Sequence, residues 1–158
     1  MKKPANKKSW KTEPFGEVLE IPYTAFFSSE EFEKLKIGLV PEVMEDKWFI
    51  YFNNNELRYY RSWTGFPVFK VLLKSVGNDY AVNSASASKQ TIDSWGEDYS
   101  AAILNFLTSN LLLGKSEPFP KRTDVKEQLP GMMQHGLSGS GYKEIPYKIK
   151  KSWWKIWK

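Results

Sequence analysis

Lys47-Trp48-Phe49-Ile50-Tyr51-Phe52-Asn53-Asn54-Asn55-Glu56-Leu57-Arg58-Tyr59-Tyr60-Arg61-Ser62 decides the fold. Two runs rich in aromatic and β-branched residues flank three asparagines. Asparagine tolerates the positive φ angles of a tight turn better than most residues, so the stretch reads as a β-hairpin. Trp63-Thr64-Gly65 makes a second turn, followed by Phe66-Pro67-Val68-Phe69-Lys70-Val71-Leu72-Leu73-Lys74. A third turn at Gly77-Asn78-Asp79 leads into Tyr80-Ala81-Val82-Asn83-Ser84-Ala85. Parallel strands need a crossover of a dozen residues or more, and these connections have only a few. The centre is therefore an antiparallel meander of about four strands.

Working outward, Glu13 to Phe27 holds Val18, Ile21, Tyr23 and Phe26 but is broken by Pro14 and Pro22, which suits an edge strand or an extended lead-in. Ser28 or Ser29 can cap a short helix whose first turn carries Glu30 and Glu31, with Phe32, Leu35 and Leu39 at helical spacing. Residues 84–94 are Ser/Ala-rich and then polar, and read as a loop. Glu97-Asp98-Tyr99 opens a longer helix. Tyr99, Ala102, Ile103, Phe106, Leu107 and Leu111 recur at the spacing of one buried face, and Gly114 stands where a left-handed cap belongs. Prolines 118, 120 and 130 mark irregular chain, and Gly136 to Gly141 reads as a flexible linker. The expected fold is α+β: one antiparallel sheet against one long and one short helix, with basic flexible tails. Residues 1–12 are expected to be a disordered tail, 13–130 a single domain, and 131–158 a Gly/Ser-rich loop with a basic aromatic C-terminal segment.

Charge is unevenly placed along the 158 residues. Residues 1–12 carry five Lys and no acid, and residues 143–158 carry six Lys and one Glu, while the remaining 130 hold 12 basic and 17 acidic side chains. A nucleic-acid reader concentrates positive charge on its folded face, so no dedicated nucleic-acid binding is expected; the ends can add weak, salt-sensitive contact with a polyanion. The absence of cysteine excludes disulfides, thiolate metal sites and cysteine catalysis. No apolar run has the length of a membrane span and the N-terminus lacks a signal's apolar stretch, which points to a cytoplasmic protein. From Ile149 to Lys158, Trp and Ile share one side of a helical wheel and Lys the other, enough at most for weak peripheral membrane contact or docking to a partner.

The strongest candidate site is Arg58-Tyr59-Tyr60-Arg61-Ser62-Trp63-Thr64-Gly65 with Trp48. Arginine grips phosphate or carboxylate through two nitrogens and stacks on rings, and a hydroxyl-bearing turn adds donors. In this reading Arg58 and Arg61 pair with phosphate, Trp48 or Trp63 stacks, and Ser62, Thr64 and Gly65 donate. Strand alternation puts Arg58, Tyr60 and Ser62 on one face and Tyr59, Arg61 and Trp63 on the other. Nine aromatics fall between Trp48 and Phe69, more than one sheet face needs, and the surplus suits a partner or a flat ligand.

Other features carry less. His135 stands alone in a loop-like stretch, and no metal or cofactor is expected from one His and no Cys without a calcium-loop spacing. Gly114-Lys115-Ser116 ends like a phosphate loop, but Ser109 stands where the leading glycine belongs. Asp93, Glu97 and Asp98 are accounted for by the positive end of a helix.

Lys47-Trp48-Phe49-Ile50-Tyr51 with Arg61-Ser62-Trp63-Thr64-Gly65, followed by Asp98-Tyr99, Phe106-Leu107 and Asn110-Leu111-Leu112-Leu113-Gly114, resembles a module in a widespread group of small bacterial proteins, over roughly residues 45–120. That group is associated with ADP-ribosyl-hydrolase and macrodomain-type parts. The resemblance implies a role near ADP-ribose or NAD, although the group commonly has His or Phe where this chain has Tyr60. Three functions stand as expectations: a non-enzymatic module binding an anionic ring-containing ligand such as ADP-ribose or a related nucleotide; a protein-interaction factor of immunity, antitoxin or adaptor type; and a hydrolase or transferase acting on ADP-ribose-like substrates through Asp98, Glu97 or His135.

Overall fold

The computed structural model describes residues 3–123 and 131–147. The hairpin forms as β3 (Trp48–Asn53) and β4 (Glu56–Arg61), with Asn54 and Asn55 at φ 53° and 62°. β5 (Pro67–Val76) and β6 (Asp79–Ser88) complete the antiparallel meander. The lead-in supplies two edge strands, β1 (Val18–Glu20) and β2 (Phe26–Phe27), which both pair antiparallel with β6 and make a six-stranded sheet. The fold is α+β, as the period-two and helical patterns require.

The short helix α1 (Ser29–Ile37) is capped by Ser28, whose hydroxyl accepts from Glu31 N–H while the Glu31 carboxylate accepts from Ser28 N–H. The loop expected over 84–94 is instead the end of β6 followed by α2 (Lys89–Trp95). Ala85 and Ala87 face the core on either side of half-buried Ser86, so the small-residue run is a strand alternation whose backbone is paired on β5 and β1.

The long helix α3 (Glu97–Leu107) turns into a π-helical turn at Thr108–Leu112, and Gly114 follows with φ 70°. Its burial is wider than one face. Ile103, Leu104 and Leu107 pack in the core with Tyr59 and Phe69, while Phe106 meets Phe119 and Tyr142 edge-on. The second contact layer is a parallel pair, β7 (Phe119–Arg122) and β8 (Glu144–Tyr147), joined through α4 (Met132–Ser138). α4 takes in Gly136 to Ser138, the first half of the stretch expected to be a linker, and Gly131 and Gly139 bound it with positive φ.

The N-terminal segment also departs from the disordered tail. The sheet face opposite the helices carries Phe49, Tyr51 and Tyr60, and Ala5, Trp10 and Phe15 cover it. Leaving three large rings to water is unfavourable, and this segment removes that surface. The basic C-terminal segment lies outside the described residues. Among the described residues no helix is long and apolar enough to cross a membrane.

The π-helical turn carries a polar group into the core. Tyr59 Oη and Thr108 Oγ1 lie 2.6 Å apart, and the Tyr23 phenol shares Thr108. Burial pushes the Tyr23 phenol up to about 12 from its ordinary 10.0, against the lowering effect of the Thr108 hydrogen bond. Because the folded value is the higher one, this contribution to stability is complete below pH 10 and is lost as pH rises through about 12. Denaturation midpoints should therefore hold to about pH 10 and fall above it. Tyr23→Phe should flatten that fall by about 2–3 kcal/mol at full ionisation, and an equally steep fall in the variant would contradict this role for Tyr23.

Candidate functional site

Strand alternation separates the two arginines. Trp48 stands opposite Arg61 and Tyr51 opposite Arg58 in the β3–β4 register, so Arg61 lies on the helix-covered face and Arg58 on the face covered by the N-terminal segment. Arg58 Nε donates to Glu56 Oε1 at 2.6 Å, and its guanidinium also meets the Tyr60 phenol. A phosphate held by both arginines would have to pass through the sheet.

Arg61 is engaged by the chain itself. Its guanidinium stacks over Trp48 with Cζ 4.9 Å from the ring centroid, Nη1 donates to Leu137 O at 2.6 Å, and Nη2 donates to Gly136 O at 3.1 Å. Trp48, fully buried, donates its indole N–H to the same Leu137 carbonyl at 2.8 Å. The acceptors are the last-turn carbonyls of α4, the negative end of a helix, which explains how a cation without a described carboxylate partner is accommodated there. Burial pulls the Arg61 guanidinium below its ordinary value.

The polar groups of the turn are likewise engaged within the chain. Ser62, 1 % exposed, donates Oγ–H to Asp46 O at 2.7 Å, and Thr64 Oγ1 accepts from Phe66 N–H. Gly65, at φ 74°, donates its N–H to Arg61 O, and Lys11 O lies 3.0 Å from where a Cβ would stand. Trp48 and Arg61 thus meet at the Leu137 carbonyl, whereas Arg58, Ser62, Thr64 and Gly65 are directed to other partners in the fold, and the set does not converge with Trp63 on one opening.

Trp63 differs from these neighbours. It is 57 % exposed, its indole N–H donates to Met44 O at 3.1 Å, and Lys47 Nζ stands 4.3 Å over its ring. Met44 is 71 % exposed and Val43 59 %. The loop that carries them is fixed by Asp46, whose Oδ2 accepts from the N–H groups of Glu42 and Val43. Gly139 packs directly on Glu45 O, so the end of α4 supports the loop from behind. The result is an exposed apolar patch whose backbone is held by hydrogen bonds. Its members Val43, Met44 and Lys47 are absent from the sequence-derived site; the signal for them is the run Glu42-Val43-Met44-Glu45, apolar residues between acids just before a strand.

The carboxylates and the imidazole do not converge either. Glu97 and Asp98 lie in the first turn of α3, Asp93 pairs with Lys89 at 3.0 Å, and His135 is exposed on α4. Among the described residues no group of three His, Asp or Glu side chains is placed to hold a metal ion. A cleft of about 210 Å³ between α3 and the β7–β8 pair has Phe106, Pro118, Pro120 and Tyr147 as walls, with Asn105 and Glu117 as polar groups. Small-molecule sites commonly occupy about 300–1,000 Å³. No family model matches the chain, and neither a curated protein nor a solved structure matches it, so its functional reading rests on its own geometry.

The Arg61 arrangement has a direct test. Arg61→Met keeps the stem over Trp48 and removes the donors to α4. Amide exchange across Met132–Ser138 should accelerate, with about 1.5–3 kcal/mol lost in stability, the usual worth of hydrogen bonds made by a charged group. Unchanged exchange in α4 would show that Arg61 does not hold it.

Proposed function

We propose that this chain is a non-enzymatic protein-interaction module, of adaptor, antitoxin or immunity type, whose contact surface is centred on Trp63. The observation that carries the reading is the Val43–Met44–Trp63 patch, in which the large side chains point to solvent while the backbone beneath them is held. Energetic hot spots of protein interfaces are enriched in tryptophan and are best presented from a rigid support, since little freedom is then lost on binding. Phe26 is more exposed, at 77 %, but its register neighbour Ala81 is buried, so it does not extend into a comparable patch through β6.

A photo-cross-linking residue at position 44, in cells that naturally make the chain, should yield a discrete adduct. Trp63→Ser should abolish that adduct while costing no more than about 2 kcal/mol of stability, the size of an exposed cation–π contact and one exposed hydrogen bond together. An adduct that persists in Trp63→Ser overturns the reading.

Binding of ADP-ribose or another nucleotide at the same stretch would require Arg61 to leave the α4 carbonyls and Ser62 to leave Asp46 O. The expected thermal-shift result with ADP-ribose and NAD is an unchanged midpoint. A rise that disappears in Arg61→Met would favour the nucleotide reading over the interaction module.

A further inference from the structure

The N-terminal segment is lysine-rich, and lysine-rich ends are ordinarily solvated and loose. Here both ends of the run are fastened. Ala5, 4 % exposed, donates its N–H to Ile37 O at 2.8 Å, and the Trp10 indole N–H donates to Ser62 O at 2.7 Å. Between them a closed turn is built: Asn6 N–H donates to Ser9 Oγ, Lys8 N–H to Asn6 Oδ1, and Ser9 N–H to Asn6 O. Lys7 and Lys8 are exposed in this turn, Lys11 is exposed just after it, and Glu13 N–H is bonded to Gly65 O at 2.9 Å. None of Lys3, Lys7, Lys8 and Lys11 lies within ion-pair distance of an acid among the described residues.

The segment that leaves this turn meets the chain on both sides of Trp63: the Trp10 indole is bonded to Ser62 O and Glu13 N–H to Gly65 O, and Lys8 precedes Trp10 by two residues, ~8 Å of backbone at most. Lys11 runs beside Gly65, and Lys47 lies on the Trp63 ring itself. Resting on the interaction reading above, we infer that the partner is a protein that meets Trp63 and Met44 with an apolar pocket and meets Lys7, Lys8 and Lys11 with an acidic rim. Like charges held together on a fixed backbone repel, and a carboxylate-bearing surface relieves that repulsion without the cost of ordering a loose tail. A nucleic acid is the poorer occupant. The patch offers a single exposed indole, whereas single-strand binders stack successive bases on several rings.

Fluorescence anisotropy with three labelled probes of equal length tests the assignment on the full chain. The probes are a peptide alternating Glu with Leu and Phe, the same peptide with Lys for Glu, and an oligo-dT strand. The acidic peptide should bind, more weakly as salt rises, and its Kd should increase about tenfold or more both in the triple variant Lys7→Glu/Lys8→Glu/Lys11→Glu and in Trp63→Ser. Failure of the acidic peptide to bind, equal or tighter binding of either other probe, or an unchanged Kd in the triple variant overturns the acidic partner. The position-44 adduct separates the two claims: if it is lost in Trp63→Ser but kept in the triple variant, the interaction module stands and the acidic rim falls.

Discussion

Both faces of the β3–β4 hairpin are aromatic, and neither can remain in water without a large hydrophobic penalty. Trp48, Ile50 and Tyr59 project to one side, and Phe49, Tyr51 and Tyr60 to the other. Antiparallel sheets often leave one face solvated, but these strands have no polar face to offer. Two covering layers are therefore needed. The helices supply the first, with Leu104 and Leu107 of α3 packed against Tyr59 and Phe69. The second is the N-terminal segment, which would otherwise be a charged tail. Its lysines become a fixed surface feature because Ala5 and Trp10 on either side of them serve the outer aromatic face.

The same requirement explains why the arginines and hydroxyls of this stretch are engaged by the chain itself. Once Trp48 is buried, its indole N–H needs an acceptor, and Arg61 above it needs negative potential. The last turn of α4 meets both needs through the Leu137 carbonyl, with Gly136 as a further acceptor for the guanidinium. Ser62 and Gly65 hold neighbouring loops in the same way. Groups that look like a set of donors waiting for a phosphate are the fasteners of three separate segments, at residues 5–13, 42–46 and 132–139. Trp63 is left at the surface because the loop it fastens, around Met44, is itself an outer loop.

Several elements were legible in the residues. The Asn54-Asn55 turn, the meander, the Ser28 cap and Gly114 after the long helix each depend on interactions a few residues apart, and local pattern reports such interactions directly. The loop and linker expectations fail for a different reason. Ser84 to Ser88 looked like a loop because small residues carry little hydrophobic signal, yet Ala85 and Ala87 are what a closely packed inner strand face tolerates. Gly136 to Gly141 looked like a linker because glycines that end a helix are indistinguishable in composition from glycines that loosen a chain. The π-helical turn is set by Tyr59 and Tyr23 meeting Thr108 and by Asn110 bonding Glu117, contacts with no local signature.

Alternation along β4 already placed Arg58 and Arg61 on opposite faces, so their inability to share one anion was contained in the period-two pattern itself. What the amino-acid order determined by itself was the set of elements: an antiparallel meander, a capped short helix and a long apolar helix, because these follow from φ preferences and periodicities of two and 3.6 residues. Which arginine meets the end of α4, which tryptophan faces water and where the N-terminal lysines stand were decided only by tertiary structure. Each depends on a partner dozens of residues away, such as Leu137 for Arg61 and Ser62 for Trp10, and on the closing of two layers over the sheet.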